Sequence, residues 1–224
     1  MTILLDNIWF KYPGSREWIL RGVNASFREG KLSVITGPNG SGKTTLLKVS
    51  SIIYKPQRGT IKAWGIDVWN IDEKTRLKIR RNIVYVHEKP ILLRGNALFN
   101  IAYGLMIRGV DANKALKIAE NFLDKIGLSY LRNKYPRELS MGEAHLVAIL
   151  RAIVLKPRML LLDEPMTYLD TKRKRIVYSL LKELKETGTG LAIVTHDAYT
   201  LANLVDEILI LEDGKISKIN ENDE

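Results

Sequence analysis

The chain has 224 residues, no cysteine, three histidines and a formal net charge of +10, enough for one substantial core with a modest insertion and too few for two full domains with linkers. Without cysteine it forms neither disulfides nor thiolate metal sites, and its scattered histidines lack metal-ligand spacing, so any metal is expected to arrive with a substrate. No run of about 18 apolar residues offers a membrane span. The N-terminal MTILLDNIWFKYPG, with an early acid, lacks the basic-then-apolar layout of a cleaved signal, and the expectation is a cytosolic chain. Lys and Arg are spread along the whole length, as in RLKIRR and TKRKR, the texture of solvated helix faces, so the charge is read as suiting polyanionic small ligands and no nucleic-acid partner is expected.

Taken in order, the first section to about Tyr85 reads as β-rich. ILLDNIWFKY alternates in part, a turn at Glu29-Gly30 leads into an apolar strand from Leu32 to Thr36, and GTIKAWG is a short strand between glycines. A helix is expected from Lys43 to about Ile53. From Glu88 to Leu150 the texture turns helical: Ala115, Ile118, Ala119, Phe122, Leu123 and Ile126 recur at helical spacing before a stop at Gly127. After Pro157, MLLLDEP and GLAIVTH read as buried strands flanking the helix RKRIVYSLLKELKETG, and EILILEDGKISKI as a closing hairpin turning at Asp213-Gly214. Uniformly apolar strands alternating with helices predict a parallel sheet covered on both faces. Only NENDE at the end looks frayed.

Chemistry concentrates at strand ends. Gly37, Pro38, Asn39, Gly40, Ser41, Gly42, Lys43, Thr44 and Thr45 match the pattern G-x-x-x-x-G-K-T between a strand and a helix. Glycines let successive N–H groups point at one anion, Lys43 supplies charge for β- and γ-phosphates, and Thr44 a hydroxyl for Mg²⁺. LLLDEP adds Asp163 as a metal carboxylate and Glu164 as the residue placed to polarise an attacking water. His196 ends another apolar strand, positioned as donor or proton relay near a γ-phosphate. Tyr12 is an aromatic ahead of the cradle, able to stack on adenine. Further along, Ser140-Met141-Gly142-Glu143 has the form of a helix mouth with a capping box, a second place where an anion is held.

Together these residues resemble the ATP-binding subunit of ABC transporters over nearly the whole chain. Tyr12 falls at the adenine-stacking aromatic, Gly37 to Thr45 at Walker A, Leu139 to Glu143 at the LSGGQ signature, Leu160 to Glu164 at Walker B, EPMTYLD at the D-loop ending in Asp170, and His196 at the switch histidine. The resemblance implies a P-loop NTPase (RecA-like) α/β core with an antiparallel β subdomain and an inserted α-helical subdomain. It also implies a single domain, with 1–87 and 152–224 as the nucleotide-binding core and 88–151 as the helical part bearing the signature. ATP and Mg²⁺ are the implied cofactors. The implied partners are a separate transmembrane permease and a second ABC ATPase subunit, identical or not, with a solute-binding protein in the full complex. The implied location is the cytoplasmic side of the cell membrane, peripherally. In the head-to-tail dimer of this family, Ser140 and Gly142 serve the partner's ATP.

HEKPILLRGNALFNIAYGLMIRGVD and KYPRELSMGE resemble importer subunits, with importers of small oxyanions such as molybdate or tungstate as the nearest texture. The permease would dock between core and helical block, around residues 88–99. Three positions depart from the family pattern. Glu88 occupies the place of the Q-loop glutamine, where it still suits Mg²⁺ but adds negative charge, with His87 as the alternative register. Met141 replaces the first signature glycine, and Glu143 replaces glutamine while still suiting a capping box. An active ATPase is expected; a soluble ABC ATPase without permease, or an ATP-gated subunit of an asymmetric pair, are the other readings.

Overall fold

The computed structural model describes residues 2–197 and 199–218; NENDE lies outside them. The first section forms a four-stranded antiparallel sheet, ordered β2-β1-β4-β5, from β1 (Thr2–Phe10), β2 (Leu20–Arg28), β4 (Arg58–Ala63) and β5 (Ile66–Asp67). β3 (Leu32–Thr36) leaves it to join a six-stranded sheet ordered β10-β9-β3-β8-β7-β6, with β6 (Ile83–Val86), β7 (Met159–Asp163), β8 (Gly190–Val194), β9 (Glu207–Glu212) and β10 (Lys215–Lys218). All five strands from β9 to β6 run parallel, and only β10 is antiparallel, paired through the hairpin at Asp213-Gly214.

Every residue of β7 and β8 is buried, which is why these strands read as unbroken apolar runs. Alternate side chains still point to opposite faces. Leu160, Leu162, Leu191 and Ile193 enter one core with α3 (Ala97–Met106), α4 (Ala112–Lys125), α5 (Met141–Ile153) and α6 (Thr171–Glu186). Leu161, Ala192 and Val194 enter the other, with α1 (Lys43–Ser50) and the antiparallel sheet. One cover of the parallel sheet is therefore largely a second sheet.

Helix α4 buries Ala115, Ala119 and Leu123, one turn apart, begins at an Asp111 cap bonded to the Lys114 N–H at 3.1 Å and stops at Gly127, φ +70°. One boundary and one additional helix differ from expectation. Helix α1 ends at Ser50 because Ile52 takes φ +59°. The β-rich first section also contains a helix, α2 (Glu73–Arg80), which buries only Ile79 and so carries no apolar stripe to announce it; its signal was the Asp72 cap, bonded to the Thr75 N–H at 2.9 Å.

Candidate functional site

The carboxyl ends of β3, β6, β7 and β8 converge on one cleft, the usual place for ligands in an open parallel sheet. After β3 the chain turns through Gly37–Gly42 into α1. At Gly37, φ +141°, a Cβ would stand 2.0 Å from the Leu211 carbonyl oxygen, so only glycine fits. The helix begins at Gly42, φ +103°, with no side-chain cap and no acid in its first turn, leaving its N–H groups for an anion. Lys43 is buried, and its ammonium donates to the Gly37 and Pro38 carbonyls at 2.8 Å each. Burial pushes Lys43 below the ordinary lysine range, against the pull of Glu164 and Asp163.

Asp163, the last residue of β7, is 2% exposed. Its Oδ2 accepts the Thr44 hydroxyl at 2.7 Å and the Tyr85 hydroxyl at 3.1 Å. Glu164 follows in a left-handed conformation, φ +50°, a costly backbone for a non-glycine residue that its N–H bond to Val194 O at 2.9 Å helps to hold. Its Oε1 is buried without a hydrogen bond, with His196 Nε2 3.6 Å away. Burial raises the Glu164 carboxyl, the charges of Asp163 and Glu88 raise it further, and His196 opposes them. Burial likewise raises the Tyr85 hydroxyl, aided by Asp163.

The cleft encloses about 730 Å³. Tyr12, Asn39, Gly40, Gly42, Lys43, Thr44, Thr45, Glu88, Asp163, Glu164 and His196 all line it. Gly37, Pro38 and Ser41 do not; the first two hold the Lys43 ammonium, and the Ser41 hydroxyl is buried without a partner. Tyr12 is 37% exposed, edge-on to Phe10 and Tyr54, with its hydroxyl 2.9 Å from Thr45 Oγ1. Of the two registers, Glu88 faces this cleft and His87 lines a different one. The donors grouped here are a hydroxyl and carboxylates, the oxygen set that Mg²⁺ prefers, and the close Thr44–Asp163 pair with the orphaned Glu164 oxygen fits a cation carried in with phosphates.

Sequence reasoning missed Tyr85, Thr167, Lys174 and Asp197. The first bonds Asp163 and the others line the cleft. Asp197 directly follows His196, which was a usable signal; Lys174, an unremarkable charge on α6, offered none. Asp197 is held below the usual carboxylate range first by the Thr200 hydroxyl and also by Lys174.

Ser140, Gly142 and Asp170 do not line this cleft. Ser140 caps α5: its hydroxyl accepts the Glu143 N–H at 3.2 Å while Glu143 Oε2 accepts the Ser140 N–H at 2.9 Å. Glu143 is 6% exposed. Burial alone would raise its carboxyl, but the Ser140 N–H, Lys134 at 3.0 Å and Arg173 at 3.4 Å hold it below the glutamate range. Gly142 is buried, and a Cβ there would stand 2.4 Å from the Tyr168 carbonyl, whereas Met141 points outward, 58% exposed. Within the chain Asp170 caps α6, accepting the Arg173 N–H at 2.8 Å.

The family described as "ABC transporter" matches residues 20–167. A lipoprotein-releasing system ATP-binding protein of Hyphomonas neptunium is 38% identical over 95% of this chain and 93% of its own length. A phosphate import ATP-binding protein of Natronomonas pharaonis is 33% identical over 88% of this chain and 73% of its own. Among solved structures, a dimeric ATP-binding cassette in a post-hydrolysis state, bound to ADP and Pi, is 31% identical and superposes with a TM-score of 0.87 over 98% of this chain and 99% of that one.

Proposed function

We propose, from the premise that this chain belongs to the ABC transporter family and has its P-loop NTPase fold, that it hydrolyses ATP as the soluble subunit of a transporter. The observation that carries the reading is the meeting of the uncapped helix mouth, the Thr44–Asp163 pair and the unpaired Glu164 oxygen in one cleft. Adenine stacks on Tyr12. The phosphates take the N–H groups at the start of α1 and the Lys43 ammonium. Thr44, Asp163 and Glu88 are the residues that would hold Mg²⁺, which when bound would supply positive charge beside the phosphates. Water attacks the γ-phosphorus, the bond to the β–γ bridging oxygen breaks, and Glu164 takes the water proton, leaving ADP and phosphate. His196 lies beside Glu164 as donor or relay.

Ser140 and Gly142, set outside their own cleft, are proposed to close on ATP held by a second subunit, with Asp170 at the same interface. Ser140 keeps a hydroxyl hydrogen to donate after accepting its cap bond. The permease docks in a cleft of about 440 Å³ between β6, α3 and α5, lined by His87, Ile91, Tyr103, Ile107 and Arg151 among others. That docking supports a peripheral place on the cytoplasmic face of the membrane, since no helix among the described residues is long and apolar enough to cross one. Segment 88–151 is proposed to move as the helical unit of the domain. Relatives are named for lipoprotein release and for phosphate import, so direction and cargo are assigned to the permease, and a solute-binding protein belongs to the importing case. Import of a small oxyanion such as molybdate or tungstate rests on the resemblance alone, and uptake into vesicles bearing the assembled transporter tests it.

Light scattering on Glu164→Gln with and without Mg·ATP tests the dimer: a shift from monomer to dimer supports closure on a second copy. No shift with ATP bound moves the reading to an asymmetric pair, which Met141 in the first signature glycine's place favours. Absence of Mg²⁺-dependent turnover with any partner overturns the ATPase. Co-purification without any membrane-spanning protein favours a soluble, permease-free ATPase.

A further inference from the structure

Helix α5 buries His145 completely, with neither ring nitrogen hydrogen-bonded. Its buried neighbours Leu146, Val147, Ile149 and Leu150 are apolar. A buried imidazole without partners is a cost that an aliphatic residue of similar size would avoid, and an unpaired buried group in a native protein calls for a reason. The surroundings supply one. The ring lies edge-on to Tyr168, with centroids 5.8 Å apart, and Gly142, one turn earlier, packs against the carbonyl of that same Tyr168. Burial pushes the imidazole below the ordinary histidine range, the backbone of Pro165, Glu164 and Glu88 opposes that push, and neither ring nitrogen is hydrogen-bonded. His145 is thus buried beside the backbone of the two segments that carry Glu88 and Glu164, with neither ring nitrogen bonded to them.

We infer that His145 is a positioning residue: its ring N–H pairs with a carbonyl of the Glu88 or Glu164–Pro165 segment when the cleft closes on nucleotide, and so fixes where the two carboxylates point. The inference rests on the ATPase reading above. The role belongs to the hydrogen bond and not to the bulk of the ring, and this separates it from simple packing.

The test compares His145→Leu, His145→Gln and the parent protein. Leu removes two unpaired buried atoms, so it is expected to keep or raise Tm, leave KM for ATP within about twofold, and lower kcat roughly tenfold. Gln, which still donates and accepts, is expected to recover most of that loss. Parental kcat in the Leu variant overturns the inference, as does a lower Tm with no recovery in Gln, which marks a packing role. A second readout is independent of turnover: amide exchange across 86–90 and 164–168, with and without Mg·ATP, is expected to quicken in the Leu variant in at least one condition while α5 is unchanged. Unchanged exchange in both conditions overturns the inference. A parent protein without turnover sinks the ATPase reading instead, and the exchange data then decide the role of His145 alone.

Discussion

Two helix mouths in this chain face solvent with different chemistry. The mouth of α1 has a glycine cap, no acid in its first turn and a buried lysine beside it. The mouth of α5 is filled by its own residues, with Ser140 and Glu143 bonded reciprocally and Glu143 paired to Lys134 and Arg173. Helix ends attract anions through unsatisfied N–H groups and the positive end of the dipole. The first mouth offers both in full; the second has spent part of that capacity on holding itself in shape. The difference teaches that one turn leaves its N–H groups open to an anion, whereas the other is already self-capped and, on the function proposed above, would contact phosphate that a second subunit holds.

Breaking the first mouth's chemistry should have the largest effect. Glu164→Gln is expected to cut turnover by roughly 10²–10⁴, the worth of a positioned base, with affinity for ATP retained; steady-state assays beside a nucleotide titration check it, and unchanged turnover would remove Glu164 from the role. Lys43→Ala removes a charge-assisted bond worth about 1.5–3 kcal/mol, so ATP affinity should weaken at least tenfold while Tm without nucleotide changes little.

At the second mouth the effects fall on stability and pairing. Glu143→Ala removes the cap's partner and the carboxylate that Lys134 and Arg173 share, for an expected loss of about 1–3 kcal/mol in thermal or urea unfolding, and a weaker ATP-driven dimer. Equal Tm in that variant would deny that the second mouth is self-stabilised.

The pH response sharpens the contrast from the side of the cleft. Glu164 is raised above the ordinary glutamate value of 4.5 by burial and by neighbouring negative charge, and it works as a base only when ionised. The acid limb of kcat should therefore lie above 4.5. Glu88→Gln removes one of those negative charges and should move the limb downward. The smallest effect is expected from Met141→Gly, since Met141 is 58% exposed: unfolding free energy should change by about 0.5 kcal/mol or less. Any gain in ATP-driven dimerisation then measures the side chain's hindrance at the interface.

Much of this was legible in the chain itself. The run Gly37 to Thr45 carries its backbone requirement in its glycines, and the buried strand ending in Asp163 and the one ending at Val194, two residues before His196, declared themselves by uniform apolarity. Helix α2 was not legible because it buries one residue and so has no periodic stripe. Lys174 and Thr167 were not legible because a charge on a helix and a hydroxyl in a loop look the same whether or not they face a cleft. The choice between Glu88 and His87 depended on how the chain bends just after β6, which turns Glu88 toward this cleft and His87 toward another.

Local signals, which act over a few residues, were set by sequence: the cradle, the caps at Asp111 and Ser140, the turn at Asp213-Gly214, and the strands of the parallel sheet. What needed the tertiary structure was every relation between distant segments. Thr44 meets Asp163 across 119 positions, Gly142 is pressed on Tyr168, and the His145 ring lies edge-on to that same Tyr168. Such contacts arise from the order in which strands stack and from burial against neighbours. No window of the sequence carries that information, because the pairing energy lies between residues far apart along the chain.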